Sequence, residues 1–91
     1  MFYHVHLRDS DKENPITCDE IGRCKGVIAP PVQDYCGNYF FSYASDKPEA
    51  EARSELRTSL NNGGNYSKEE RFEIARIALV TQIAQSQNTP V

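Results

Sequence analysis

A chain of 91 residues is long enough for one domain, and a domain of this size buries only about 60 to 65% of its unfolded surface. Its 10 basic and 13 acidic side chains give a net charge of -3, which argues against general binding to a phosphate backbone. No apolar run approaches the roughly 18 residues of a membrane-spanning helix, and the first residues lack the pattern of a secretory signal. We therefore expect a cytoplasmic protein in which Cys18, Cys24 and Cys36 are free, buried or half-buried thiols.

The first eight residues alternate between apolar and polar side chains, with the period of a half-buried strand. The alternation predicts a core face with four members, Met1, Tyr3, Val5 and Leu7. It also places His4, His6 and Arg8 in a row on the opposite face, about 7 Å apart.

Residues 39–44 are rich in aromatic side chains and predict a second strand, with Tyr39, Phe41 and Tyr43 on one face and Phe40, Ser42 and Ala44 on the other. The larger aromatic side chains are expected under the helices, but the sequence does not decide which face is buried. Donors on one strand and aromatic rings on another are typical of a site for a nucleotide-like anion. The residues predicted for such a ligand-binding site are His4, His6, Arg8, Phe40 and Tyr43. Two alternatives are a metal held by the histidine pair and a histidine-based phosphoesterase. No further ligand or second pair of histidines has a recognisable spacing, so we expect no catalytic residue, no metal and no cofactor.

The segment between these strands gives weaker signals. Residues 9–14 are a charged loop whose spacing of acids partly matches a calcium-binding loop, but Asn14 stands where that loop needs glycine. Residues 16–27 predict an irregular segment or loose hairpin, followed by a short strand at residues 25–29 that Pro30 and Pro31 end.

A helix is predicted after the aromatic strand, with Asp46 as N-cap, Pro48 in its first turn and an end near Leu60. Residues 45–60 resemble the final strand, turn and helix of double-stranded RNA-binding domains, but acids stand where that family has lysines. The resemblance therefore argues against RNA binding.

A second helix is predicted over residues 67–87, because Ser67 and Glu70 form a capping box before an apolar stripe with helical spacing. Apolar side chains surround most of its circumference, which predicts a second contact and hence self-association as a dimer or larger oligomer. The residues predicted for self-association are Phe72, Ile74, Ile77, Leu79, Val80 and Ile83.

The predicted fold is a single α+β domain over residues 1–87, with a frayed tail at 88–91. It has a small antiparallel sheet of about three strands and two C-terminal helices packed on one face. No motif identifies a reaction, so we expect a non-enzymatic interaction or inhibitor protein with a protein partner, and neither a membrane nor a nucleic acid as partner. In size and style the chain resembles host-directed inhibitors of bacteriophages, such as anti-CRISPR proteins. The alternative function is binding or sequestering of a nucleotide-like anionic small molecule at a subunit interface.

Overall fold

The computed structural model describes residues 1–61 and 71–80, and in that part of the chain it has four strands and two helices. In chain order these are β1 (Phe2–Asp9), α1 (Cys18–Gly22), β2 (Val32–Gln33), β3 (Asn38–Ala44), α2 (Glu49–Leu60) and β4 (Phe72–Leu79). The strands form one antiparallel sheet in the order β2-β3-β1-β4. The prediction of an α+β arrangement with a small antiparallel sheet is confirmed, but the sheet has four strands rather than about three. The order of elements and strands is that of the split βαβ, ferredoxin-like arrangement.

The alternation predicted for the first strand is confirmed in β1. Tyr3, Val5 and Leu7 are buried against the helices, whereas Met1 is 49% exposed and does not join the core as predicted. Met1 precedes the first residue of the strand, so the sheet does not cover it.

The helix predicted over residues 67–87 is wrong in its described part, because residues 72–79 form strand β4 beside β1. The register of the two strands shifts at a β-bulge, where His6 pairs with Arg76 and Leu7 pairs with Ile74. Ala75 is the extra residue, so the apolar side chains alternate as in a strand on either side of it but change phase across it. Taken together, the apolar residues on the two sides of Ala75 occur at the spacing of an apolar stripe on a helix. Residues 67–70 and 81–87 lie outside the described residues.

The same correction applies to the predicted self-association surface. Phe72, Ile74 and Ile77 are at most 3% exposed because they fill the core of their own chain, so their side chains do not form the exposed helical surface that was predicted. Leu79 is 45% exposed and Val80 is half-buried. Ile83 lies outside the described residues.

Strand β3 and helix α2 supply much of the core. The sequence left open which face of β3 is buried, and in the structure it is the face with Tyr39, Phe41 and Tyr43. Helix α2 ends at Leu60 as predicted, but it begins at Glu49 with Pro48 as its N-cap rather than Asp46. Pro48 has the extended backbone of an N-cap, and no side-chain cap is present. The core joins β1, β3 and β4 to both helices, with these buried members: Tyr3, Val5, Leu7, Ile16, Ile21, Tyr39, Phe41, Tyr43, Ala52, Leu56, Leu60, Phe72, Ile74 and Ile77.

Both helices were predicted near the C-terminal end, after the strands. In the structure, α1 instead lies before β2 in the chain. Thr17 and Glu20 form the capping box that begins it, and Ile21 buries its apolar side. The strand predicted at residues 25–29 is only a single bridge between Val27 and Tyr43. None of the helices in residues 1–61 and 71–80 has the length and apolarity needed to span a membrane.

Candidate functional site

The sheet has a second face, opposite the core, that neither α1 nor α2 covers. Both helices contribute their buried side chains to the core, so they lie on the other side of the sheet. The strand registers place the following residues together on this uncovered side, which we call the open face: Phe2, His4, His6, Arg8, Val32, Asn38, Phe40, Ser42, Glu73, Arg76 and Ala78.

One row of side chains crosses the open face through all four strands. Val32 on β2 pairs with Phe40 on β3, which pairs with His6 on β1, which pairs with Arg76 on β4. The rings of His6 and Phe40 are stacked, with centroids 4.5 Å apart and planes 12° from parallel. Phe40 is 44% exposed, and Arg76 is exposed. A fixed aromatic stack therefore lies next to a cation on neighbouring strands.

Histidine side chains give this row its hydrogen-bonding capacity. His4 is exposed and precedes His6 on the same face of β1. The Nε2 atom of His6 is buried and has no hydrogen-bond partner among the described residues. Buried polar atoms in folded proteins almost always have a partner, so the exposed imidazole of His4 rather than Nε2 of His6 is the histidine group that a ligand at the open face can reach. These residues border a shallow depression of about 310 Å³, which is lined by His4, Val5, His6, Phe40, Arg76 and Ala78.

Arg8 lies on the open face as predicted, but a neighbouring carboxylate partly neutralises it. Its Nη1 atom is 3.8 Å from Oε1 of Glu73, and both side chains are more than half exposed. A long, exposed ion pair of this kind contributes little to stability, so Arg8 remains free to reorient.

Tyr43 does not lie with the other predicted site residues. It is buried on the core side of β3, and its hydroxyl donates a hydrogen bond to Oε1 of Glu55 on α2 at 2.6 Å. Successive residues of a strand point to opposite faces, so Tyr43 and Phe40 cannot contact one ligand on the open face. The structure thus brings together His4, His6, Arg8 and Phe40 and separates Tyr43 from them.

Two open-face residues that line the depression, Arg76 and Ala78, were not predicted from the sequence as site residues. Both lie in β4, which the sequence pattern assigned to a helix. The alternation of Phe72, Glu73 and Ile74 is the signal that could have placed them, if a bulge had been allowed after it.

A second depression has a volume of about 380 Å³ and is lined by Lys25, Gly26, Tyr43, Ala44, Ser45, Asp46, Glu55 and Ser59. Hydrogen bonds from the Tyr43 hydroxyl and then the Ser45 hydroxyl hold the pKa of Glu55 below its usual range. Glu55 is therefore a carboxylate at neutral pH, and Asp46 adds a second acid. Two acids and one lysine disfavour an anion here, so the open face is the better candidate.

The charged loop after β1 is held by its own hydrogen bonds. The carboxylate of Asp9 accepts from the backbone N–H groups of Asp11 and Ile16, and that of Asp11 accepts from those of Glu13 and Asn14. Within the described ranges, no group of three or more His, Cys, Asp or Glu side chains is placed to hold a metal ion. The three cysteines are free thiols, of which Cys18 and Cys24 are half-buried and Cys36 is exposed. Burial raises the pKa of the Cys24 thiol, and the charge of Glu20 adds to the rise.

No protein-family model matches this chain, and no curated protein and no solved structure matches it either.

Proposed function

We propose that this chain is a non-enzymatic binding domain whose open face holds a nucleotide-like ligand, with a planar ring system and a negative charge. The observation that carries the proposal is the stacked pair of His6 and Phe40 beside Arg76. The three side chains come from three adjacent strands, and the backbone pairing of those strands fixes their order.

The stacked pair supports binding of a planar ring. Side chains on a sheet are held by the backbone ladder, so a ring that binds beside Phe40 does not have to order a loop first. Stacking of a base on an aromatic side chain contributes about 1 to 3 kcal/mol. Because Phe40 is still 44% exposed, it has surface left for such a contact.

The charges nearby support an anionic ligand. Arg76 borders the stack, and a guanidinium forms strong paired hydrogen bonds with phosphate oxygens. His4 also lines the depression and adds a further donor. The depression has a volume of about 310 Å³, near the lower end of the range of about 300 to 1,000 Å³ for small-molecule sites. A single nucleotide is therefore a better match for this site than a large ligand.

The arrangement favours binding over catalysis. A general acid or base must reach the proton that it transfers, and Nε2 of His6 is buried while its ring is stacked on Phe40. His6 is placed to support a stack, and His4 alone would have to act as both acid and base. We therefore propose a cytoplasmic protein that binds or sequesters its ligand without changing it.

Equilibrium dialysis with radiolabelled AMP tests this proposal, with inorganic phosphate as a competitor that lacks the ring. We expect Phe40→Ala to weaken AMP binding about tenfold or more, since a loss of 1.4 kcal/mol corresponds to a factor of ten. Arg76→Gln should weaken binding of both AMP and phosphate. Arg23→Gln is the matched control, because it removes an exposed arginine at the C-cap of α1, outside the open face.

Two results would contradict the proposal. One is the absence of AMP binding at millimolar concentration, and the other is equal binding by the wild-type protein and the Phe40→Ala variant. An equal loss in Arg23→Gln and Arg76→Gln would mean that net charge rather than the open face governs binding.

A protein partner is the second candidate, and the apolar half of the open face favours it. Phe2 and Val32 are 56% and 65% exposed on the open face, and a single nucleotide would not cover both. Several exposed apolar side chains on one face are typical of protein interfaces. An interaction or inhibitor role, including one against a host defence system, would be affected by Val32→Glu and not by Arg76→Gln.

A further inference from the structure

We propose that the outer edge of β4 pairs with β4 of a second copy of this chain, through residues 76–80, and so forms a weak dimer with one continuous sheet. This inference goes beyond the binding of a ligand and does not depend on it. It rests on the direction of the backbone groups of β4 and on the exposure of Leu79.

The hydrogen bonds of β1 show which backbone groups of β4 face outward. The N–H of Val80 donates to the carbonyl oxygen of Phe2, and Leu79 pairs with Tyr3 in the adjacent position. Backbone groups of an antiparallel strand alternate between its two sides. The N–H and C=O groups of Ile77 and Leu79 therefore point away from β1, and no described strand pairs with them.

The two halves of this edge differ. In the first half, the Arg53 guanidinium on α2 donates a hydrogen bond to the outward carbonyl of Ile74. Sheet edges are commonly protected by such charged groups and by bulges, and Ala75 supplies a bulge at the same point. The second half, from Ile77 to Val80, carries no charged side chain. It also exposes Leu79 at 45% on the side of the sheet where its neighbours are buried.

A second copy fits this half because the segment is self-complementary. A two-fold axis through Ala78 pairs Ile77 of one protomer with Leu79 of the other, twice, which gives four backbone hydrogen bonds. The exposed Leu79 side chain of each protomer then lies at the junction of the two strands, on the core side of the joined sheet. The pairing leaves the contact between Arg53 and Ile74 intact, and it places Arg76 opposite an apolar Val80 rather than opposite a second arginine.

A foreign peptide strand is a poorer fit to the same edge. Specific recognition by strand addition needs pockets for alternate side chains, and this half of the edge offers only Leu79. The short contact falls below the roughly 1,200 Å² of stable interfaces, so the dimer should form only at high protein concentration. It would join two open faces into one surface with Ala78 at the junction.

Sedimentation equilibrium over about 10 μM to 1 mM, a range suited to a small interface, tests the dimer. The weight-average mass of the wild-type protein should rise from 10.3 kDa toward twice that value. Leu79→Pro should stay at 10.3 kDa at every concentration, because it removes an N–H that faces the partner and not β1. Leu79→Ala keeps the N–H and should weaken self-association several-fold without abolishing it.

Amide hydrogen exchange of the wild-type protein keeps the test decisive if Leu79→Pro does not fold. The amides of Ile77 and Leu79 should become protected as concentration rises, while the outward amide of Phe72 should not change. A constant mass of 10.3 kDa over the whole range would overturn the proposal. So would a Leu79→Pro variant that associates like the wild type, or concentration-dependent protection confined to other strands.

Discussion

The hydroxyl of Tyr39 joins the core to the segment before α1, and its removal gives a prediction whose size follows from the structure. Tyr39 is 2% exposed and donates a hydrogen bond to the carbonyl oxygen of Ile16, which is also 2% exposed. The same hydroxyl accepts a hydrogen bond from Nε2 of Gln33 at 3.0 Å. Tyr39→Phe keeps the ring but leaves the Ile16 carbonyl buried without this donor.

The cost of that change is the desolvation of one buried acceptor, about 1 to 3 kcal/mol. Gln33 is exposed, so water replaces its lost partner at little cost. For a domain of this size each kcal/mol lowers the melting temperature by about 4 to 8 °C. Urea unfolding should show a lower midpoint with an unchanged slope, since the surface exposed on unfolding is the same.

Tyr35→Phe is the matched control, because Tyr35 is fully exposed and should change the free energy of unfolding by less than about 0.5 kcal/mol. If Tyr39→Phe were equally neutral, the hydrogen bond to Ile16 would not contribute as the buried geometry implies.

Three further predictions concern a glycine, a buried phenol and the bulge of β4. Gly26 has φ +99°, and a Cβ atom there would lie 2.5 Å from Cε1 of Tyr43, so Gly26→Ala should lose about 2 kcal/mol or more in urea unfolding, while Gly22→Ala should be nearly neutral. Burial, and then the hydrogen bond to Glu55, raises the pKa of the Tyr43 hydroxyl. Above about pH 10 the unfolded chain therefore releases a proton that the folded chain keeps, and stability should fall as pH rises there. The fall should be less steep in Tyr43→Phe, although Tyr39, whose pKa burial also raises, keeps its own contribution. Deletion of Ala75 removes the extra residue of the bulge and restores simple alternation in β4, so the variant should fold with an unchanged circular-dichroism spectrum. If this segment were a helix, the deletion would break its apolar stripe and the spectrum would change.

Local sequence patterns predicted strands β1 and β3 and the C-terminal end of helix α2. Successive residues of β1 and β3 point to opposite faces of the sheet, and this period of two alone separates the residues of the open face from those of the core face. The end of α2 at Leu60 also agreed with the pattern. The Thr17 and Glu20 capping box of α1 was visible in the sequence as well, but the glycines around it suggested an irregular segment.

The errors arose where one residue changes the phase of a pattern. Ala75 shifts the alternation of β4, and apolar residues on both sides of it then occur at helical spacing. Only pairing with β1, a contact between residues far apart in the chain, decides between strand and helix here. The wrong helix led to a self-association surface of which three members are core residues, and it hid Arg76 from the candidate site. Tyr43 was wrongly grouped with Phe40 in the predicted site. The two residues are three positions apart in one strand, so the alternation of the strand already places them on opposite faces.

An AMP titration followed residue by residue in the amide NMR spectrum of the protein is the best test of ligand binding at the open face, because it locates the ligand as well as detecting it. We predict that the amide signals of His4, His6, Phe40 and Arg76 shift together, with one saturation curve, while those of Lys25 and Glu55 beside the other depression do not. Shifts confined to Lys25 and Glu55, or no shifts at millimolar AMP, would contradict the assignment of the open face as the binding site.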